Sequence, residues 1–458
     1  MTFKKLPNYF FLIFCLLCSS QIIAQPTYWH TNGVTVGGTV HSGTDATHLS
    51  SPTAVFVDAS GNKYVADYLN NRVQKFPAGS QELSAATTVA GGNGAGNALN
   101  QVTKPEAVWV DGAGNLYVAD NNTTNPRVLR FPAGSSSSTM GVICAGGNGQ
   151  GSGLNQFTKP DGLFMDASGT LYVSDYNDSS RARILKFANA ATSTSSTMGA
   201  QAGGGCTGNC WHKHGATILA DPKGICVDGS GNVYVADAGY NRIVKFTSPT
   251  SGSVVAGSPA ATQGAGVTVI DSLLWAPYDV KLDAHGNMII SNNGAARIVE
   301  WTTGASTCFW VAANGPIGIA PNSLGQPAGI YIDNNTPQAL YVADEGNFRI
   351  QKFNDTTAAV DAGVQQLSAL LSQPELFPNP NNGSFTIKTN VDASLEGKDA
   401  YIQVVNTLGQ IVAGDKTIVL NGTIQKTMNL NHSLPQGVYQ LYITCANQYT
   451  VSKLEIVK

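Results

Sequence analysis

The 458-residue chain carries 26 Lys and Arg against 29 Asp and Glu, a net charge of -3, and only 12% of its residues are charged. With no basic surplus to neutralise phosphates, the balance argues against a nucleic-acid partner. Low charge and 50 glycines among abundant Ser, Thr and Asn suit a protein that works outside the cell.

Lys4 and Lys5 precede a short apolar run, Tyr9 to Cys18, followed by polar residues and Ala24. That order predicts a secretory signal over residues 1–24 and leaves no transmembrane span in the mature chain. Next comes "VTVGG", Val34 to Gly38, and then a unit that recurs six times. Each unit opens at a proline (Pro52, Pro105, Pro160, Pro222, Pro277 and Pro327), continues through an apolar run ending in Asp, and turns through "D-x-x-G-N" or a variant. Gly and Asn tolerate positive φ in such turns. A second strand follows, such as "KYVAD" at Lys63 to Asp67, then a polar turn, then a third strand, such as "RVQKF" at Arg72 to Phe76. Weaker fourth strands lie between units: "TTVAGG" at Thr87, "GVICAGG" at Gly141, "GAQAGGG" at Gly199, "SVVAG" at Ser253 and "CFWVAA" at Cys308. Five gaps hold five such strands, and the sixth unit has none after it. A closed ring resolves the deficit, with Val34 to Gly38 completing the last sheet. The expected fold over residues 25–354 is an all-β, six-bladed β-propeller whose N-terminal strand closes the last blade.

The segments "GNKYVAD", Gly61 to Asp67, and "NRVQKF", Asn71 to Phe76, with their copies, resemble NHL repeats. The resemblance implies a ligand-binding or protein-binding scaffold, and in a few similar proteins a metal-dependent lyase or hydrolase. Residues 355–373 read as a linker. Beyond it, "PELFPNPNNGSFTIKT" from Pro374, "IQVVNTLGQIV" from Ile402 and "LPQGVYQLYIT" from Leu434 predict a small C-terminal β-sandwich over residues 374–458. Its paired "FPNP", "N-x-x-G" and "L-x-x-G-x-Y" elements resemble the type A sorting domain of type IX secretion cargo from Bacteroidetes. That resemblance implies recognition by the secretion machinery and delivery to the cell surface or medium.

Repeated polar residues explain a scaffold first. Asp67, Asp120, Asp175, Asp237 and Asp344 end second strands, while Arg72, Arg127, Arg183, Arg242, Arg297 and Arg349 begin third strands, so in almost every unit an Asp–Arg pair is expected to tie down its hairpin. Function is sought in departures from the repeat. Positions just after each proline should surround the mouth of the central channel, where crowding favours Ala54, Ala107, Gly162, Gly224 and Gly329. Asp279 breaks that pattern. One position earlier stand Thr53, Glu106, Asp161, Lys223, Tyr278 and Ala328. Glu106, Asp161, Lys223, Tyr278 and Asp279 are therefore the candidate ligand-binding residues, suited to a cation or polar ligand, against the alternative of an ordinary solvated funnel.

The stretch "CTGNCWHKH", Cys206 to His214, replaces an ordinary inter-blade loop. Cys206 and Cys210 are candidates for a disulfide, for free thiols or, with His212 and His214, for zinc. Trp211, His212 and His214 are candidate partner contacts, whereas Cys144, Cys226, Cys308 and Cys445 fall in apolar strands and are expected to be buried singletons. No nucleophile elbow, zincin or Walker motif is present. The expected function is a secreted binding or scaffold module taking a protein, peptide or saccharide on its long-loop face; the alternative is a metal-dependent lyase or hydrolase at the channel mouth. No cofactor is fixed by a motif, and a divalent cation, calcium or zinc, is the one candidate.

Overall fold

Short, nearly continuous apolar runs punctuated by Gly and Asn turns fold here as four-stranded antiparallel sheets. The computed structural model describes residues 29, 32–176, 182–188, 190, 200–204, 217–257, 274–302, 308–312, 317–333, 338–354, 374–405, 411–430, 434–445 and 448–457. Residues 1–24, the linker 355–373 and the loop candidates Cys206, Cys210, Trp211, His212 and His214 lie outside the described residues.

Among the described residues before 355 there are six such sheets. The first comprises Pro52–Val57, Lys63–Asp67, Arg72–Phe76 and Thr87–Gly91 in chain order. The second to fifth repeat this order, with first strands Val108–Val110, Pro160–Met165, Pro222–Val227 and Pro277–Leu282. The sixth takes Pro327–Asp333, Ala339–Asp344 and Arg349–Asn354 from its own repeat and Val34–Gly38 from the N-terminal end. Gly38 pairs with Arg349 and Val34 with Lys352. First strands of consecutive sheets touch one another, and that of the sixth touches that of the first.

Five of the six second strands are buried along their whole length, as in Leu116–Asp120, because sheets cover both faces of their neighbours. The inner aromatics Tyr331, Phe56, Trp109 and Phe164 form a chain of tilted rings around the first strands, with centroids 4.8, 5.1 and 5.0 Å apart. They are packing residues, in line with their repeated positions. Glycine closes the fourth strand for a steric reason: Gly91 has φ 69°, and a Cβ there would meet the Asn71 carbonyl. Cys144, Cys226, Cys308 and Cys445 are buried and unbridged.

After residue 373 the described chain forms a three-stranded sheet, Glu375–Phe377, Ser384–Asn390 and Thr423–Asn429. A four-stranded sheet holds Asp399–Val405 and Gly437–Cys445 at its centre. One core joins the two, with Phe385 and Ile387 from the first and Ile402, Leu441 and Ile443 from the second. No helix among the described residues is long and apolar enough to cross a membrane.

The N-terminal segment carries closing contacts beyond its ladder. Trp29, 3% exposed, lies in a core with Ile289, Leu340 and Phe353 of the fifth and sixth sheets. Deleting residues 25–38 is expected to cost at least about 3 to 5 kcal/mol from the lost indole burial and the unpaired edge. Thermal unfolding of the truncated chain should show Tm lowered by roughly 5 °C or more; an unchanged Tm would contradict the closure.

Candidate functional site

Five of the six repeats build the loop face with the same buried ion pair. Asp120 Oδ2 accepts from Arg127 Nε at 2.8 Å, and both side chains are fully or almost fully buried. Equivalent contacts join Asp67 to Arg72, Asp175 to Arg183, Asp237 to Arg242 and Asp344 to Arg349, at 2.7 to 3.1 Å. The pair does more than tie its hairpin. Asp120 Oδ1 accepts the Thr103 N–H, and Arg127 donates to the carbonyls of Asn97, Ala98 and Gln101, so the pair clamps the whole incoming loop. Arg183 holds Ser152, Gly153 and Gln156 in the same way, and Arg349 holds Ile319, Ala320 and Ser323. Burial pushes the Asp120 and Asp175 carboxyls up to about 6, while their arginines and the backbone N–H donors limit the rise. In the fifth sheet Asn292 replaces the aspartate and still accepts the Trp275 N–H at 2.7 Å.

On this clamped face the departures from the repeat converge. Glu106, Asp161, Lys223, Tyr278 and Asp279 all line one cavity of about 40 Å³ at the axis, enough to admit water. Tyr278 reaches from the fifth sheet to donate to Glu106 Oε2 of the second, directly across the ring, at 3.0 Å. Lys223 Nζ lies 3.3 Å from Asp161 Oδ2 and 3.2 Å from Asp221 Oδ1, with the Tyr176 and Tyr278 rings each 5.8 Å away. Burial, then the neighbouring Asp161, raise the Glu106 carboxyl. Burial opposes the charge of Lys223, yet Asp161 and the other carboxylates hold its ammonium above the ordinary lysine value. Burial, reinforced by Glu106, pushes the Tyr278 phenol well up.

Sequence reasoning missed three members of this cluster. Lys159 Nζ lies 3.0 Å from both Glu106 Oε1 and Asp161 Oδ1. Burial would lower its ammonium, but Asp161 and Glu106 override burial and raise it. Glu345, raised by burial, accepts from Ser51 Oγ at 2.6 Å. Lys281 grips Asp279 at 2.6 and 2.8 Å. Asp279 also accepts the Val280 N–H and, from the sixth sheet, the Ile330 N–H at 3.0 Å. It fits because a Cβ at Gly224 would occupy the space of its carboxylate. A divalent cation at Glu106 and Asp161 would have to displace Lys159, and among the described residues no cluster of three or more acidic, His or Cys side chains is placed to hold one.

Residues 375–458 match the family of secretion system C-terminal sorting domains, and residues 219–246 match the NHL repeat. The chain thus carries an NHL repeat and a type IX sorting tail, which directs it to secretion or to the outer-membrane surface. Comparison with curated proteins finds no match. A solved protein of unknown function from Bacteroides thetaiotaomicron is similar at 14% identity, TM-score 0.51, over 70% of this chain and 75% of that one. Auxiliary nutrient binding proteins from Bacteroides thetaiotaomicron and Bacteroides ovatus are similar at 13% identity, each with TM-score 0.49, over 70% and 72% of this chain and 75% and 77% of theirs. At these identities the likeness concerns the all-β fold alone.

The internal partners of Asp279 make it a cross-link between sheets. Asp279→Ala should lower unfolding free energy in urea by about 3 kcal/mol, because it strands a half-buried ammonium and a buried N–H. A loss below about 0.5 kcal/mol would show that the carboxylate is free for a ligand.

Proposed function

We propose that the chain is a six-bladed β-propeller serving as a binding or scaffold module, followed by a C-terminal β-sandwich that exports it. A signal peptide over residues 1–24 takes it across the inner membrane, and the sorting domain takes it across the outer one. The six sheets, the succession of touching first strands and the pairing of Val34–Gly38 with Arg349–Asn354 support the blade count.

The observation that carries the binding reading is the gathering of unrepeated charged and aromatic side chains on one face, while repeated residues are consumed in holding that face together. Glu106, Asp161, Lys223 and Tyr278 form the floor of the ligand surface, and Asp279 braces it from below. Ligand groups meet a pre-formed network of charges, as suits recognition of polar partners. Lysine ammoniums occupy the positions that a metal would need, which favours binding over metal-dependent lysis or hydrolysis. Cys206 and Cys210, in an exported chain, are joined as a disulfide, and Trp211, His212 and His214 beside them are partner contacts.

Deleting residues 374–458 should leave the propeller folded but held within the cell envelope. Fractionation and external antibody labelling of cells expressing the full and truncated chains test this. Surface labelling of the truncated chain equal to that of the full one would contradict the export assignment.

A further inference from the structure

We infer that a cleft between the first and second sheets binds a small organic carboxylate with an apolar body; the site goes beyond the binding reading above and does not depend on it. The cleft has a volume of about 360 Å³, within the range of small-molecule sites. Asn62 and Gly114 reach it from the turns between first and second strands, and Pro77, Pro132 and Ser135 from those after the third. These turns lie at the opposite end of the strands from the Asp–Arg clamps, so the cleft opens on the other face of the ring.

The cleft is a departure from the repeat. Lys75 pairs across the hairpin with Tyr64 in the first sheet as Arg130 does with Tyr117 in the second. Arg130 reaches the connection of the third sheet, donating to the Ala190 carbonyl at 3.5 Å, and Ala190, three positions after Phe187, is buried in one core with Tyr117. At the matching point of the second sheet, three positions after Phe131, stands Gly134, where even a Cβ would meet nothing within 4 Å. Lys75 stays on its own sheet, with Nζ 5.1 Å from the centroid of the Tyr64 ring. The gap that Ala190 and Arg130 occupy in one place is thus open in the other.

The lining sets the ligand class. Tyr64, Val89 and Leu116, with the rings of Pro77 and Pro132, give apolar walls, and half-buried Lys75 carries the one charge among the lining residues. Asp58 lies in Coulombic reach of that ammonium, but its oxygens already accept from the Ser60 and Asn62 N–H groups, the Asn62 amide and the Tyr64 hydroxyl. In the fourth sheet the equivalent Lys245 pairs with Asp228 at 3.6 Å; Lys75 forms no ion pair or hydrogen bond among the described residues. A half-buried ammonium beside apolar walls is complemented by an anion that brings apolar surface of its own. One ammonium offsets one unit of charge, which selects a carboxylate over a phosphate dianion. Asn62 spends its amide on Asp58 and its carbonyl on the Ala78 N–H, so Thr87 and Ser135 supply the remaining polar contacts, too few for the several hydroxyls of a sugar acid.

Calorimetric titration of the full chain with cinnamate, cinnamyl alcohol, acetate and glucuronate tests this. Cinnamate should bind at least about tenfold more tightly than the other three, because it alone offers both the charge and the apolar body. Lys75→Met, which keeps an apolar stem, should weaken cinnamate at least about tenfold and leave the alcohol unchanged. Thr87→Trp, which fills the cleft from an exposed strand position, should abolish binding of both, and each variant should keep the parent Tm. Equal binding of the alcohol, tighter binding of glucuronate, indifference of cinnamate to either variant, or no binding of cinnamate at millimolar concentration overturns the inference.

Discussion

A carboxylate and a guanidinium buried together at the start of the third strand in five of the six repeats are what the loop face depends on. Neither charge could be left alone there, since an isolated buried ion costs several kcal/mol. The arginine spends its donors on one carboxylate and up to three loop carbonyls, and the carboxylate spends its second oxygen on a loop N–H. Loops rich in Gly and Asn have no core of their own, so these charge-assisted bonds give them a fixed shape. The fork geometry matters as well as the charge: a lysine has the charge without the planar donor set.

Because the repeated residues are consumed by this clamp, the surface that remains is written by the unrepeated ones. Glu106, Lys159, Asp161 and Lys223 come from three consecutive sheets and neutralise one another along a chain of ion pairs, and Tyr278 ties that chain to the opposite side of the ring. The cavity that Glu106, Asp161, Lys223 and Tyr278 line at the axis holds about 40 Å³.

Much of this was legible in the sequence, for identifiable reasons. A period marked by proline, Asp and Gly-Asn fixes strand order, and the missing sixth outer strand pointed to Val34–Gly38. Counting from each proline picked out the positions that line the axis. The role of the Asp–Arg pair was only half legible, because its additional acceptors are backbone carbonyls and leave no trace in residue identity. Lys159 was missed since it precedes the proline from which the mouth was counted. Asp279 read as a free carboxylate because its partners, Lys281 and the Ile330 N–H, come from its own strand and from the next sheet.

Amide hydrogen exchange of Arg127→Lys against the parent chain tests the clamp most directly. This change keeps the charge and removes the fork that holds Asn97, Ala98 and Gln101. The account predicts at least tenfold faster exchange across residues 93–104, with protection in Leu116–Asp120 and Arg127–Phe131 retained. Faster exchange confined to the hairpin, with the loop unchanged, would contradict it.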